Sequence, residues 1–258
     1  MTISIITATF NSAATVRDTI ESVLRQTYKD IEYIIKDGGS KDDTLAICRE
    51  YEPRFGGRMK IISCPDTGIY DAMNQGIEAA TGDIVGILNS DDMYFDEQVL
   101  ERIANVMSDR EVGCVYGDLQ FVDAQDTSKI VRVWRGSQYK EGGFQRGWHP
   151  AHPTFYARRM YFEKYGAFDT SFDVSADFEL MLRFIERNHI KSMLIPNYFV
   201  KMRMGGESTG SIANIIKGNK NILRAFEKNG FKKPAFYILR RLTPKIIGMI
   251  KTRIGINN

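Results

Sequence analysis

The chain has 258 residues, 43% of them hydrophobic and 11% aromatic, which is enough apolar surface for a substantial core and excludes a disordered protein. We expect no signal peptide, because no basic segment precedes a long apolar stretch at the N-terminus. We expect no membrane-spanning helix either, because no apolar segment approaches roughly 20 residues. Cys48, Cys64 and Cys114 lack paired-ligand spacing and indicate buried thiols, not a zinc site or a disulfide scaffold. A soluble or peripheral protein of the cytoplasm is predicted.

The basic residues are concentrated towards the C-terminus. The net charge is +3, but residues 211–258 contain 11 of the 35 Lys and Arg and one of the 32 Asp and Glu, Glu227. The first 210 residues therefore carry 24 basic and 31 acidic side chains, so that the body has a charge of −7 and the tail a charge of +10. Such an asymmetry between body and tail needs an explanation.

The first half of the chain alternates strand-like and helix-like patterns. Strands are expected at residues 3–9, 31–36, 59–63 and 84–88. Helices are expected between them at 13–26, 43–51 and 70–80, the first with an N-cap from Asn11-Ser12. Strands separated by helices in this way predict a parallel sheet with helices on its faces.

The alternation ends after Asp92. A helix is expected at 97–108, followed by two β-like stretches at 113–122 and 129–134 that are close enough to pair as a hairpin. A second helix is expected at 177–187, because Phe178, Met181, Leu182 and Ile185 recur at helical spacing. The basic tail predicts two more helices, at 215–229 and 234–254.

Polar residues follow each of the four predicted parallel strands, where ligands of such sheets bind. They are Thr7, Thr9 and Asn11, then Asp37, then Asp66, then Asn89-Ser90-Asp91-Asp92. Turn preference alone also explains an isolated Asp or Asn at a strand end. It explains Asp91-Asp92 less well, because adjacent carboxylates beyond a buried strand repel each other without a cation. Mg²⁺ or Mn²⁺ fits that position, since such ions accept carboxylates and fill their other sites with phosphate oxygens and water.

Four segments carry a resemblance to a known family. TATFN, IIKDGGSKDDT, PDTGIYDAMNQGIEAATGDIVGILNSDD and SADFELMLR together resemble the inverting family-two glycosyltransferases of the GT-A fold, over about residues 1–205. The resemblance implies a Rossmann-like, mainly parallel α/β domain over residues 1–210. Its nucleotide-sugar half would be about 1–95 and its acceptor half about 96–210. The basic helical tail is 211–258.

The resemblance also implies roles for individual residues. Thr7, Thr9 and Asn11 would line the nucleotide pocket, and Asp37 would accept a hydrogen bond from the base, expected to be uracil. Ser90-Asp91-Asp92 would correspond to the metal-binding motif for Mn²⁺ or Mg²⁺. Asp177 would be the general base, and the start of a helix favours a carboxylate there. Asp66 and Asn74 would also bind the nucleotide-sugar.

Two positions depart from the family pattern. Gly38 stands where the family often has the second Asp of Asp-Asp-Gly-Ser, and Met73 stands where it often has Arg before Asn74. The segment 148–155 holds two histidines, His149 and His152, and prolines between them make a shared helix face unfavourable. In similar transferases a His in this region often lies near the site, so His152 is the stronger candidate for a role in catalysis.

The predicted activity is transfer of one sugar, with inversion, from a nucleotide-sugar to a lipid-linked glycan acceptor in the assembly of a surface polysaccharide such as an O-antigen, capsule or exopolysaccharide. Residues 215–258 would bind an anionic membrane at its cytoplasmic face, or pack as a helical hairpin on the body. Nucleic-acid binding is disfavoured by the motif set. The competing functions are a nucleotidyltransferase, whose basic Gly-rich phosphate loop is missing near Thr9, and a sugar-binding module without catalysis.

Overall fold

The structure, a computed structural model, describes residues 1–205, 212–235 and 237, and within them one sheet of nine strands is flanked by helices. The elements of the first half are β1 Ile3–Thr9, α1 Val16–Leu24, β2 Ile31–Asp37, α2 Thr44–Tyr51, β3 Met59–Ser63, α3 Ile69–Glu78 and β4 Ile84–Ile87. β1 lies between β2 and β4, β3 lies outside β2, and all three pairs are parallel. The predicted parallel half-sheet is confirmed.

The second half closes the sheet with mixed pairing. Its elements are β5 Met93–Tyr94, α4 Val99–Met107, β6 Cys114–Val122, β7 Ile130–Trp134, β8 Tyr156–Arg158, α5 Arg159–Tyr165, α6 Ala176–Met181, β9 Ser192–Arg203 and α7 Ile212–Lys228. β8 pairs antiparallel with both β4 and β6 and so joins the two halves. The strand order is β3-β2-β1-β4-β8-β6-β9-β5, and β7 pairs with β6 as the predicted hairpin.

The core lies in two layers, one on each face of the sheet. Because side chains alternate along a strand, Ile3 and Ile5 of β1 enter one layer and Ile6 enters the other. The first layer packs α1, α2 and α4 against the sheet, and the second packs α3, α5, α6 and α7. With both faces covered, ligands can reach the sheet at the ends of its strands.

One local expectation was wrong, and another is confirmed with a change of helix type. Helix α1 begins at Val16 with Thr15 at its N-cap position, and not after Asn11-Ser12. Asn11 has a φ of 50°, and its backbone N–H and side-chain oxygen bind the loop after β2, so it is not available to the helix. The helix expected at 177–187 is present: α6 is followed directly by a π-helical segment over Leu182–Arg187.

The first helix of the basic tail packs on the body. Phe226 of α7 is fully buried, and its ring centroid lies 5.7 Å from that of Phe178 in α6. On the outer surface Lys217 pairs with Asp173 and Lys228 pairs with Asp169. The tail's charge thus meets acidic groups of the body at this helix.

The second predicted tail helix, 234–254, lies outside the described residues apart from 234, 235 and 237. None of the helices in the described part of the chain combines the length and the apolar character that crossing a bilayer requires.

Candidate active site

The four parallel strands end along one edge of the sheet, and the predicted site residues follow them there. The order β3-β2-β1-β4 places the residues after these strands side by side: Asp66, Asp37, the segment from Thr9, and the segment 89–92. Neighbouring strands lie about 4.8 Å apart, so the edge from β3 to β4 is roughly 14 Å long. The structure thus gathers the polar strand ends that the sequence predicted to be near one another.

Asp37, at the end of β2, is fully buried and surrounded by donors of the chain. Its Oδ2 accepts hydrogen bonds from the backbone N–H of Gly39 (2.9 Å), that of Ser40 (3.1 Å) and the hydroxyl of Ser63 (2.9 Å). Its Oδ1 accepts from the hydroxyls of Ser40 (2.5 Å) and Thr9 (3.3 Å). Burial by itself would raise the pKa of Asp37, but these hydrogen bonds hold it below its ordinary value.

This geometry does not support Asp37 as a contact to the nucleotide base. A carboxylate offers about four acceptor positions, and the chain's own donors already fill them. The residue instead fixes the turn Gly38-Gly39-Ser40. Asn11 supports the same turn, because its backbone N–H donates to Ser40 Oγ (2.9 Å) and its Oδ1 accepts from the N–H of Lys41 (2.9 Å).

Two other residues that were predicted to contact the nucleotide-sugar, Thr7 and Asn74, point into the protein instead. Thr7 is fully buried, and its hydroxyl shares a hydrogen bond of 3.2 Å with the hydroxyl of Tyr33, so its side chain lies in the core. Asn74 binds the backbone of Phe168 through both amide atoms, accepting at 2.9 Å and donating at 2.8 Å. The polar groups of both residues bond other parts of the chain, and neither is presented to the sheet edge.

Asp66, beyond β3, is held by a buried lysine, Lys36, that was not among the predicted site residues. Lys36 of β2 is fully buried, and its ammonium group donates to the carbonyl oxygens of Asp37 (3.0 Å) and Cys64 (2.8 Å) and to Asp66 Oδ2 (3.0 Å). A charged residue within the apolar strand IIKD was the available signal, because Lys is almost never fully buried without a partner. Asp66 Oδ1 accepts from the N–H of Gly68 (3.1 Å).

The end of β4 has the opposite electrostatic character. Asp92 is fully buried, with one hydrogen bond to each oxygen: from Asn89 Nδ2 (3.1 Å) and from the backbone N–H of Arg203 (3.3 Å). Burial and the charge of Asp91 raise the pKa of Asp92 well above its ordinary value. Asp91 is half-buried, and burial raises its pKa too, against the charges of Arg203 and His152. The segment is tied down by Ser90, whose hydroxyl bonds Ser12 Oγ at 2.9 Å.

Arg203, the last residue of β9, holds this acidic segment from behind. Its Nε donates to the carbonyl oxygen of Asp91 (2.9 Å), and its guanidinium pairs with Asp18 of α1. The side chain is 8% exposed, so its charge acts in a poorly solvated environment. No local pattern indicates this role of Arg203, because the contact with Asp91 joins residues more than a hundred positions apart.

Asp177 and His152 face each other beside this edge. His152 Nδ1 lies 3.1 Å from Asp177 Oδ2, and the hydroxyl of Tyr70 donates to Asp177 Oδ1 at 3.3 Å. Burial, and next the charge of Asp177, raise the pKa of Tyr70, so it stays a hydrogen-bond donor. His149 points elsewhere, with its ring 5.0 Å from that of Trp134. Glu179, two residues after Asp177, is buried against Arg183.

The residues at the end of β4 suit a divalent cation in part. Burial keeps the pKa values of the two adjacent carboxylates raised although Arg203 lies near them, and that guanidinium also pairs with Asp18; a metal ion would supply further positive charge. Asp91 is the one with an exposed fraction, whereas Asp92 is fully buried. Among the described residues, no three His, Cys, Asp or Glu side chains are grouped as metal ligands. Asp91, with Asp92 behind it, is therefore the candidate position.

The fold is the GT-A fold that solved glycosyltransferases share. The structure resembles TarS 1–349 of S. aureus, crystallised with UDP, with a TM-score of 0.69 and 15% identity over 94% of this chain and 72% of that one. This chain covers 44% of the longer TarS chain. It also resembles the mannosyltransferase PcManGT from Pyrobaculum calidifontis, in complex with GDP-Man and Mn²⁺, with a TM-score of 0.65 and 19% identity over 92% of this chain and 67% of that one.

Sequence comparison identifies the family. Residues 4–175 match Glycosyl transferase family 2, and the chain belongs to that family. A "PGL/p-HBAD biosynthesis glycosyltransferase" of Mycobacterium bovis is 28% identical over 253 residues, 95% of this chain and 91% of that protein. An uncharacterised glycosyltransferase of Mycobacterium tuberculosis is 32% identical over 198 residues, 70% of this chain and 68% of that protein. The predicted family and fold are confirmed, and the chain is a glycosyltransferase.

Proposed function

We propose that this glycosyltransferase moves a single sugar, with inversion, from a UDP-sugar to a hydroxyl of a lipid-linked glycan at the cytoplasmic face of the membrane. The observation that carries the reaction is the position of His152. Its Nδ1 lies 3.1 Å from Asp177 Oδ2, and its turn, His152–Thr154, packs against β4, the strand that precedes Asp91. This arrangement supports a single site with Asp177 as the base on one side and Asp91 as a metal ligand on the other.

The chemistry follows from the charges at the two sides. Asp177 is partly exposed, its Oδ2 lies 3.1 Å from His152 Nδ1, and its Oδ1 accepts a hydrogen bond from Tyr70, so these two neighbours fix its direction. An oriented carboxylate can take the proton from an acceptor hydroxyl as that oxygen attacks the sugar. Attack opposite the leaving diphosphate in one step inverts the configuration. A Mn²⁺ or Mg²⁺ ion held at Asp91-Asp92 would neutralise charge on the leaving diphosphate.

The structural relatives support the choice of donor and metal. TarS was crystallised with UDP and with UDP-GlcNAc, and PcManGT with GDP-Man and Mn²⁺. For the acceptor, a relative that matches nearly the whole chain is named for biosynthesis of PGL and p-HBAD. These names favour glycosyl transfer from a nucleotide-sugar donor over a nucleotidyltransferase or a binding module.

The test of the reaction measures nucleotide release. The protein with Mn²⁺ should release UDP slowly from a UDP-sugar in water, and faster with a lipid-diphosphate sugar as acceptor. Asp177→Asn should lower turnover with that acceptor by about 100-fold or more, because general base catalysis contributes on that scale, and leave UDP binding unchanged. Glu179→Asp is a poor control because Glu179 is buried, so the exposed Glu78→Gln is the matched one. No release from any nucleotide-sugar would refute the proposal.

The membrane part needs a separate test. Because α7 packs on α6 through Phe226, deleting 215–258 would also expose core residues. A truncation after Tyr237 keeps α7 and removes five Lys and Arg and no acidic residue. It should lose binding to liposomes that contain anionic lipid, since each basic residue near such a surface contributes about 1 kcal/mol. Unchanged sedimentation with those liposomes, with normal UDP release, would exclude tail-mediated binding.

A further inference from the structure

Two carboxylates follow neighbouring strands on the nucleotide side of the sheet edge, Asp37 after β2 and Asp66 after β3. Asp37 is fully buried and accepts hydrogen bonds from Thr9, Ser40 and Ser63 as well as from backbone N–H groups. Asp66 is different, because its side chain is 15% exposed and each oxygen accepts one hydrogen bond from the described residues. A carboxylate has about four acceptor positions, so Asp66 retains capacity that Asp37 lacks.

Asp66 is also held in place. Lys36 Nζ binds Asp66 Oδ2 at 3.0 Å and the Cys64 carbonyl at 2.8 Å, and through them fixes the segment beyond β3. The N–H of Gly68 binds Oδ1 at 3.1 Å, so both oxygens have a defined direction. Both Asp66 oxygens therefore act as hydrogen-bond acceptors towards the chain.

The glycine at position 38 makes room for this carboxylate. A Cβ added to Gly38 would lie 2.6 Å from Asp66 Oδ2, closer than real Cβ atoms approach an oxygen. Gly38 does not have a positive φ, so its backbone does not require glycine, whereas its neighbour Gly39 has a φ of 89°. A side chain at position 38 is therefore excluded by the carboxylate of Asp66, whose atoms are the nearest neighbours of the added Cβ. The space that a residue after Asp37 would fill is occupied by the carboxylate from the next strand.

We propose that Asp66, held by Lys36 and admitted by Gly38, recognises the base of the donor and selects uridine over cytidine. The inference rests on the proposed use of a nucleotide-sugar donor and names the residue that reads it. Uracil has an N3–H on its Watson–Crick edge, and a carboxylate accepts a hydrogen bond from that group. Cytosine presents an unprotonated N3 at the same position, and its lone pair faces the negative charge. Sites that hydrogen-bond a substrate N–H reject analogues without it because their buried polar groups stay unpaired.

The position of Asp66 along the sheet agrees with this role. It lies at β3, and the candidate metal position lies at β4, three strands away and roughly 14 Å along the same edge. A nucleotide with its diphosphate at Asp91 therefore has its base directed along the edge towards β2 and β3. Of the two carboxylates there, Asp66 is the one that can accept a further hydrogen bond.

The experiment compares UDP and CDP binding by calorimetry with Mn²⁺ present. The wild type should bind UDP at least tenfold more tightly than CDP. Asp66→Asn should reduce the UDP-to-CDP ratio to about one, because an amide can donate to cytosine N3. Gly38→Ala should reduce the same ratio by displacing Asp66, while the hydrogen bonds of Asp37 stay in place. The exposed Glu78→Gln is the control and should keep the wild-type ratio.

The ratio separates base recognition from folding. A variant that only loosens the site weakens UDP and CDP alike, as we expect for Asp37→Asn. A wild-type ratio retained in Asp66→Asn overturns the inference and leaves the transferase proposal standing. Tighter binding of GDP than UDP by the wild type overturns the choice of uridine. Failure of the wild type to bind any nucleoside diphosphate overturns the proposed function itself.

Discussion

Buried aspartates lie at the end of β2 and just beyond the end of β4, and their pKa values are shifted in opposite directions. At β2, Asp37 receives hydrogen bonds from side chains and from the turn that follows it, and its pKa is lowered. At β4, Asp92 receives one hydrogen bond to each oxygen and lies beside Asp91, and its pKa is raised. Burial is complete at both positions, so the number of donors and the sign of the neighbouring charge decide the outcome.

We infer that the difference separates a carboxylate that stabilises the fold, Asp37, from carboxylates that would serve a ligand, Asp91 and Asp92. The hydrogen-bonding capacity of Asp37 is filled by the chain itself without a ligand, and its carboxylate stabilises the turn Gly38-Gly39-Ser40. Burial raises the pKa of both Asp91 and Asp92, the charge of Asp91 raises that of Asp92 further, and the fold supplies a single nearby guanidinium, that of Arg203, among the described contacts. Unsatisfied charge at a strand end is thus a better indicator of the active site here than charge alone.

The strongest test of this contrast is the effect of Asp91→Asn on activity. We expect UDP release with Mn²⁺ to fall by about 1,000-fold, since removing a group that stabilises transition-state charge costs on that scale. Thermal stability should not fall, because the replacement removes a carboxylate that burial already disfavours. The exposed Asp109→Asn, which breaks a surface pair with Lys191, should keep full activity. Activity within tenfold of the wild type would remove Asp91 from the site.

Asp37→Asn should affect stability first. We expect the free energy of unfolding to fall by about 2–3 kcal/mol at pH 7, because hydrogen bonds to a charged group are lost and buried donors remain. A folded pKa below the ordinary value stabilises the protein above about pH 4 and ceases to do so as the pH falls through the folded pKa. Urea denaturation from pH 7 to pH 3 should show the variant and wild type converging in acid. A constant difference would mean that the charge of Asp37 is not what stabilises the turn.

Asp92→Asn should have a smaller effect of the opposite sign. A raised pKa means that the folded protein holds a proton more tightly than the unfolded chain, so stability falls as the pH rises from the unfolded towards the folded pKa. The variant should therefore melt a few degrees higher than the wild type at pH 8, and the difference should shrink at pH 4. Mn²⁺ should raise the melting temperature of the wild type at pH 8 and that of the variant much less. Destabilisation of the variant at pH 8 would show that Asp92 is satisfied as an anion.

Much of the fold could be predicted from local pattern. The bounds of β1 and β3 were predicted to the residue, and β2, β4 and the hairpin of β6 and β7 to within one residue at each end. Apolar strands and turn residues act over a few positions, which a sequence displays directly. The start of α1 was wrong because the side chain of Asn11 is used by a loop that is 30 residues away in sequence.

The candidate site was less predictable, because its contacts join distant residues. The motifs placed Asp37, Asp66, Asp91, Asp92 and Asp177 at strand ends or at a helix start, which the structure agrees with. They did not distinguish Asp37 from Asp66, since Asp37 is enclosed by Ser63 and Asp66 is held by Lys36. Nor did they show the support that Tyr70 gives Asp177 across the site.

The sequence by itself determined the family, the α/β class and the set of residues from which the site is built, because these follow from periodicity and from motifs in a fixed order. Only the tertiary structure decided which carboxylates are enclosed, which stay available, and that α7 packs on the body. The physical reason is that the state of a carboxylate depends on the donors, charges and solvent around it. Those neighbours come from strands and helices that are far apart along the chain.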